Sequence, residues 1–94
     1  MGRELILQQT IETEEGKQYL LEYYLLSDVS KLPEEYGVSV IKTGEGCYEI
    51  QSIREFSPVK SQALRFLHML GAGKVTPMSL FDVADNFLAC EYAY

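Results

Sequence analysis

At Ser57-Pro58 the hydrophobic period of this 94-residue chain changes from two residues to about 3.6, and it does not change back. A chain that places its strands first and its helices afterwards does not build alternating β-α units, so a parallel sheet with crossover helices is excluded. The expected fold is α+β: an antiparallel four-stranded sheet made of two hairpins, followed by a C-terminal helical hairpin packed on one face. The length suits one compact core and not two, so residues 1–94 are expected to form a single domain.

The strands are read from alternation. From Glu4 to Ile11, apolar Leu5, Leu7 and Ile11 are interleaved with polar Glu4, Gln8 and Thr10. Thr13-Glu14-Glu15-Gly16 supplies a turn, and Lys17 to Leu26 is rich in Tyr and Leu. This segment also matches helical spacing at Leu20, Leu21, Tyr24 and Leu25, but its aromatic content and the preceding turn favour a strand. Ser27 to Glu35 shifts to Asp, Ser, Pro and Glu and reads as a surface loop. Tyr36 to Lys42 and Cys47 to Ile53 then form a second hairpin around Gly44-Glu45-Gly46, with Tyr48 and Ile50 alternating against Glu49 and Gln51.

Both helices carry start signals. Ser57 suits the N-cap and Pro58 the first helical position, where a missing N–H costs nothing. Val59, Ala63, Phe66, Leu67 and Leu70 mark one face, and Gly71 stands where a C′ glycine would end the helix at about Leu70. After Ala72-Gly73-Lys74-Val75, Thr76-Pro77 repeats the same start. Val75 and Leu80 occupy the two positions of a hydrophobic staple, and Leu80, Phe81, Ala84, Phe87 and Leu88 continue the apolar face. The tail Glu91 to Tyr94 is expected to fray.

The run Val75-Thr76-Pro77-Met78-Ser79-Leu80-Phe81-Asp82-Val83-Ala84-Asp85-Asn86-Phe87-Leu88 resembles the C-terminal signature of a family of small bacterial proteins of unknown function, and Tyr36-Gly37-Val38 is similar to its central strand. The matching positions are Val75, Thr76, Pro77, Leu80, Asp82, Val83, Phe87 and Leu88, with Asn86 where the family pattern has an acidic residue. The resemblance implies a small bacterial protein and carries no activity, ligand or catalytic residue with it.

Charge narrows the partners. Eight basic and fourteen acidic residues give a net charge of -6, the wrong sign for binding a phosphate backbone, so no nucleic acid is expected. Residues 54–74 alone are net basic, through Arg54, Lys60, Arg65 and Lys74, and pairing with the acidic remainder of the chain accounts for them. The two cysteines, Cys47 and Cys90, form no Cys-x-x-Cys pair, and Leu5-Ile6-Leu7 is too short for a secretory leader or a membrane span. A cytoplasmic location, reduced thiols and no membrane association are the expectations.

No catalytic set emerges. Gly71-Ala72-Gly73-Lys74 lacks the first glycine of a phosphate loop, where His68 stands, and its hydroxyl, where Val75 stands; Thr76 breaks the dinucleotide fingerprint. His68 is the single histidine and has no ligand pair beside it for a metal. Asp82 and Asp85 share a helix face and read as solvated charge, as do Glu14-Glu15 and Glu34-Glu35 in their turns. Ser57-Pro58 and Thr76-Pro77 look like phosphorylation sites, but both hydroxyls are wanted as caps. Neither a cofactor nor a metal is expected, and the function expected is that of a non-enzymatic protein-interaction or regulatory domain. The alternative is a small-ligand or enzymatic pocket between sheet and helices, beneath Phe66 and Phe87 and containing His68.

In the second strand Tyr19, Leu21, Tyr23 and Leu25 are expected to face the helices, which leaves Leu20, Tyr24 and Leu26 on the opposite face beside Ile6. Two helices cover one face only. A sheet face open to water should be polar, so Ile6, Leu20, Tyr24 and Leu26 form the candidate interface, with a homodimer as the expected partner. The competing cover is the 27–35 loop with Leu32.

Overall fold

A computed structural model describes residues 2–28, 30 and 34–92, with side chains described through Leu88. Four strands, β1 (Gly2–Glu12), β2 (Gln18–Asp28), β3 (Glu35–Gly44) and β4 (Cys47–Ser57), form one antiparallel sheet in chain order, and α1 (Lys60–Ala72) and α2 (Leu80–Tyr92) follow. The strands-then-helices pattern is therefore an α+β fold, as the change of period requires. Gly16 and Gly46 take positive φ in the two hairpin turns, where a side chain would be strained. The 27–35 loop lies in part outside the described residues, and Leu32, the expected cover of the open face, is among those outside.

The core lies between the helices and one sheet face. Leu21, Tyr23 and Leu25 of β2 and Val38 and Val40 of β3 meet Ala63, Phe66, Leu67 and Leu70 of α1 and Leu80 and Ala84 of α2. The parity expected for β2 holds: its odd positions face the helices. Phe66 stacks on Phe56 at 4.6 Å between ring centroids and meets Phe87 at 5.0 Å, which fills the junction of the two helices with β4.

Tyr23 ties the sheet to the helical turn. Its hydroxyl, buried at the end of a fully buried ring, donates to Val75 O at 2.9 Å, while Gln9 Nε2 donates to Gly71 O at 2.7 Å and more weakly to the Tyr23 oxygen at 3.4 Å. Burial pushes the Tyr23 phenol above its ordinary value of 10.0, against the opposing pull of the Gln9 hydrogen bond. The native state thus keeps this proton where the unfolded chain releases it, so the contribution is complete below pH 10 and is lost as the pH rises further. Tyr23→Phe should cost about 1 to 2 kcal/mol at neutral pH, because the Val75 carbonyl loses its donor, and should flatten the alkaline fall in stability. Urea unfolding at a series of pH values checks both, and an unchanged neutral midpoint would show that water replaces the hydroxyl.

Four local expectations are corrected. The alternation of β1 is broken by an extra residue between Leu5 and Leu7, so Leu5 sits opposite Tyr24 while Leu7 sits opposite Tyr23, and the two lie on different faces. Gly71 does not end α1, which runs to Ala72; it lies buried inside the helix where the Leu7 side chain occupies the space a Cβ would need. The left-handed residue after the helix is Lys74, at φ 52°, and Val75 N donates back to Leu70 O. Ser57 is still in β4 and α1 starts two residues beyond Pro58; the Ser57 hydroxyl accepts from Val59 N at 3.0 Å and donates to Gln62 Oε1 at 2.5 Å, bridging the strand end to the first turn instead of capping it. Finally, α2 is entered through a 3-10 turn at Pro77–Ser79, with Pro77 in its expected first position, and continues to Tyr92 into the tail expected to fray.

Candidate interaction surface

Antiparallel pairing puts directly opposed residues on the same side of a sheet, so the register defines the face away from the helices. Leu26, Tyr24, Glu22 and Leu20 of β2 lie there, opposite Arg3, Leu5, Gln8 and Thr10 of β1. On the other flank the same four residues oppose Gly37, Ser39, Ile41 and Thr43 of β3, and these lead on to Ser52, Ile50 and Tyr48 of β4. Three of the four expected interface residues, Leu20, Tyr24 and Leu26, are therefore on one face. Ile6 is not with them. It is the extra residue of the β1 bulge and packs against the helix-side core, and Leu5 takes the place beside Tyr24.

Several polar groups on this face are engaged with their neighbours. The Arg3 guanidinium lies 4.6 Å from the centre of the Tyr24 ring, and the Tyr24 hydroxyl donates to Glu22 Oε2 at 3.1 Å. Partial desolvation, followed by the bonded Glu22 carboxylate, holds the Tyr24 phenol above its ordinary value. At the centre Ser52 Oγ donates to Ser39 Oγ at 2.8 Å, and among the described residues no buried side-chain polar atom lacks a partner.

The apolar groups are less settled. Leu26 and Ile41 are already buried, but Leu5, Ile50 and Tyr48 are 42%, 46% and 66% exposed. In the first half of β4 the usual polarity of a sheet in a two-layer domain is inverted, whereas further along Ile53 and Phe56 pack on the helix-side core. Tyr48 and Ile50 point away from the helices, while Glu49 and Gln51 lie on the helix side, opposite Lys42 and Val40. The alternation is visible in the sequence; the side to which it points is not.

On the helix side of this hairpin end, Lys42 Nζ is 3.7 Å from Glu49 and 4.5 Å from the centre of the Tyr19 ring. Cys47 donates its thiol proton to Glu49 at 3.5 Å, and partial desolvation together with that carboxylate pushes the thiol above its usual range. It rests as a protonated thiol at neutral pH. The Cys90 side chain lies outside the described residues. His68 stands exposed on α1, and the space beneath Phe66 and Phe87 is filled by the aromatic stack. The recesses lie elsewhere: one of about 310 Å³ opens between the two hairpin turns, beside Glu15, Lys17, Tyr19 and Glu45, and one of about 300 Å³ lies at the start of α1 beside Val59, Gln62 and Arg65. Among the described residues no group of three or more His, Cys, Asp or Glu side chains is placed to hold a metal ion, and no helix is long and apolar enough to cross a membrane.

Among known proteins, no curated protein and no solved structure matches the chain. The sequence profile of one family, described as a family of unknown function (DUF6514), matches residues 3–90, nearly the whole chain, and so includes both the sheet and the helical hairpin. This chain belongs to the family of unknown function DUF6514.

Proposed function

We propose that this protein is a non-enzymatic protein-interaction or regulatory domain of the bacterial cytoplasm, and that it binds through the sheet face its helices leave open. The observation that carries the reading is the inverted polarity of the first half of β4. Its apolar Tyr48 and Ile50 face outwards and its polar Glu49 and Gln51 face the helix side, which is the pattern of a strand whose covered side is the outer one. Tyrosine suits such a surface, since its ring buries area while its hydroxyl tolerates a wet rim. The acidic balance of the chain favours a protein partner over nucleic acid or an anionic membrane. The space for a ligand pocket between sheet and helices is taken by Phe56, Phe66 and Phe87.

A photo-cross-linking amino acid placed at position 48 in living cells tests this reading, with position 78 on the helix layer as the control, since Met78 is 83% exposed. Adducts of protein size are expected from position 48 and not from position 78. The absence of adducts at position 48, or an equal yield from position 78, would overturn it.

A further inference from the structure

We infer that the occupant of the open face is a second copy of this chain, packed sheet to sheet about a two-fold axis; this rests on the reading of that face as a docking surface. Area is the first argument. Four paired strands of ten or eleven residues present roughly 650 Å² in projection, at about 4.8 Å between strands and about 3.4 Å per residue. Side chains roughen that surface beyond its projection, which brings it close to the roughly 800 Å² per partner of a stable interface.

Charge is the second argument. The chain carries -6, so two copies repel wherever their acidic surfaces meet. Across the paired rows from Arg3–Leu26 to Thr43–Tyr48, the middle of the open face holds one cation, Arg3, and one anion, Glu22, both already engaged with Tyr24, while Glu12, opposite Gln18, and Asp28, opposite Glu35, stand at the two ends of the same face. The middle of the face is net neutral on an acidic molecule, so a second copy centred there keeps the acidic groups at the rim of the contact. A basic partner would instead seek the acidic turns.

The sheet edges supply the third argument. Growth by adding strands is opposed at both edges, by the bulge between Leu5 and Leu7 in β1 and by the register break in β4 between Ile53 and Ser57, with Arg3, Glu4, Arg54 and Glu55 beside them. A copy of this chain therefore meets the face and not the edge, and closes as an isologous pair instead of extending as a filament.

Sedimentation velocity and light scattering of the full chain over a wide concentration range test the inference on the parent, on Tyr48→Glu with Ile50→Lys, and on a helix-layer control, Met78→Lys with Phe81→Glu. All four positions are exposed in the single chain, so the fold should survive, as far-UV circular dichroism will check. Leu5→Glu, on the far edge of the same face, is the second variant should the β4 pair disturb the sheet. The parent and the control are expected to be dimers, and the open-face variants to dissociate about a hundredfold more readily. A monomeric parent, an unaffected dimer in the open-face variants, or loss of the dimer in the helix-layer variant alone would each overturn the proposal. A monomeric parent that still cross-links to a different protein from position 48 overturns the second copy while sparing the interaction reading, and the absence of any adduct there overturns both.

Discussion

Phe66→Ala is expected to cost the fold about 3 to 5 kcal/mol, the range for removing a large aromatic side chain from a packed core. Phe66 has no exposed surface and packs against both Phe56 and Phe87, so its removal leaves a cavity where the end of β4 and the middles of α1 and α2 meet. The ring contacts add to the burial, since paired aromatic rings are worth about 0.5 to 1.5 kcal/mol beyond their area. Domains of this kind are held by only about 5 to 15 kcal/mol in all, so the variant should unfold at a much lower urea concentration, with the slope of the transition unchanged. Phe66→Leu keeps most of the volume and should lose less than half as much. A loss below about 1 kcal/mol for the alanine variant would mean that the aromatic junction collapses on itself without Phe66, and that the helices are held by the Tyr23 and Gln9 hydrogen bonds.

Gly37→Ala is expected to destabilise by about 1 to 3 kcal/mol for a different reason. A Cβ at position 37 would run into the carbonyl oxygens of Ile53 and Arg54, backbone atoms of the neighbouring strand that cannot turn aside as the end of a side chain can. The glycine permits the register break between Tyr36–Ser57 and Val38–Ile53, where β4 carries extra residues before it delivers Ser57 to the start of α1. Gly46→Ala is a useful comparison, because nothing lies near its missing Cβ but its φ is +65°; it should cost about 1 to 2 kcal/mol through backbone strain alone. Comparing the two variants with the parent by thermal and urea unfolding separates close approach from conformational strain. A neutral Gly37→Ala would show that β4 moves away without loss.

The order of elements was legible from end to end, because everything that sets it is local. Alternation in four segments, glycines at the two hairpin turns and the Thr76-Pro77 helix start depend on residues within a few positions of one another. The parity of β2 was legible too: with Tyr23 and its neighbours on the helix side, Leu20, Tyr24 and Leu26 had to lie on the other. Three of the four candidate interface residues follow from that alone.

What tertiary structure decided were the places where one element must fit another. The β1 bulge moves Ile6 from the open face to the core and puts Leu5 in its place, since one inserted residue reverses the side on which the rest of a strand lies. Gly71 reads locally as the end of a helix, but Leu7, sixty-four positions earlier, packs where its side chain would be, and α1 runs on to Ala72. Tyr48 and Ile50 alternate with Glu49 and Gln51 in any register, yet which pair faces outwards depends on the pairing of β4 with β3 and on the side that the helices cover. A period of two residues divides a strand into two faces, and only the layer laid across the sheet determines which of them is the inside.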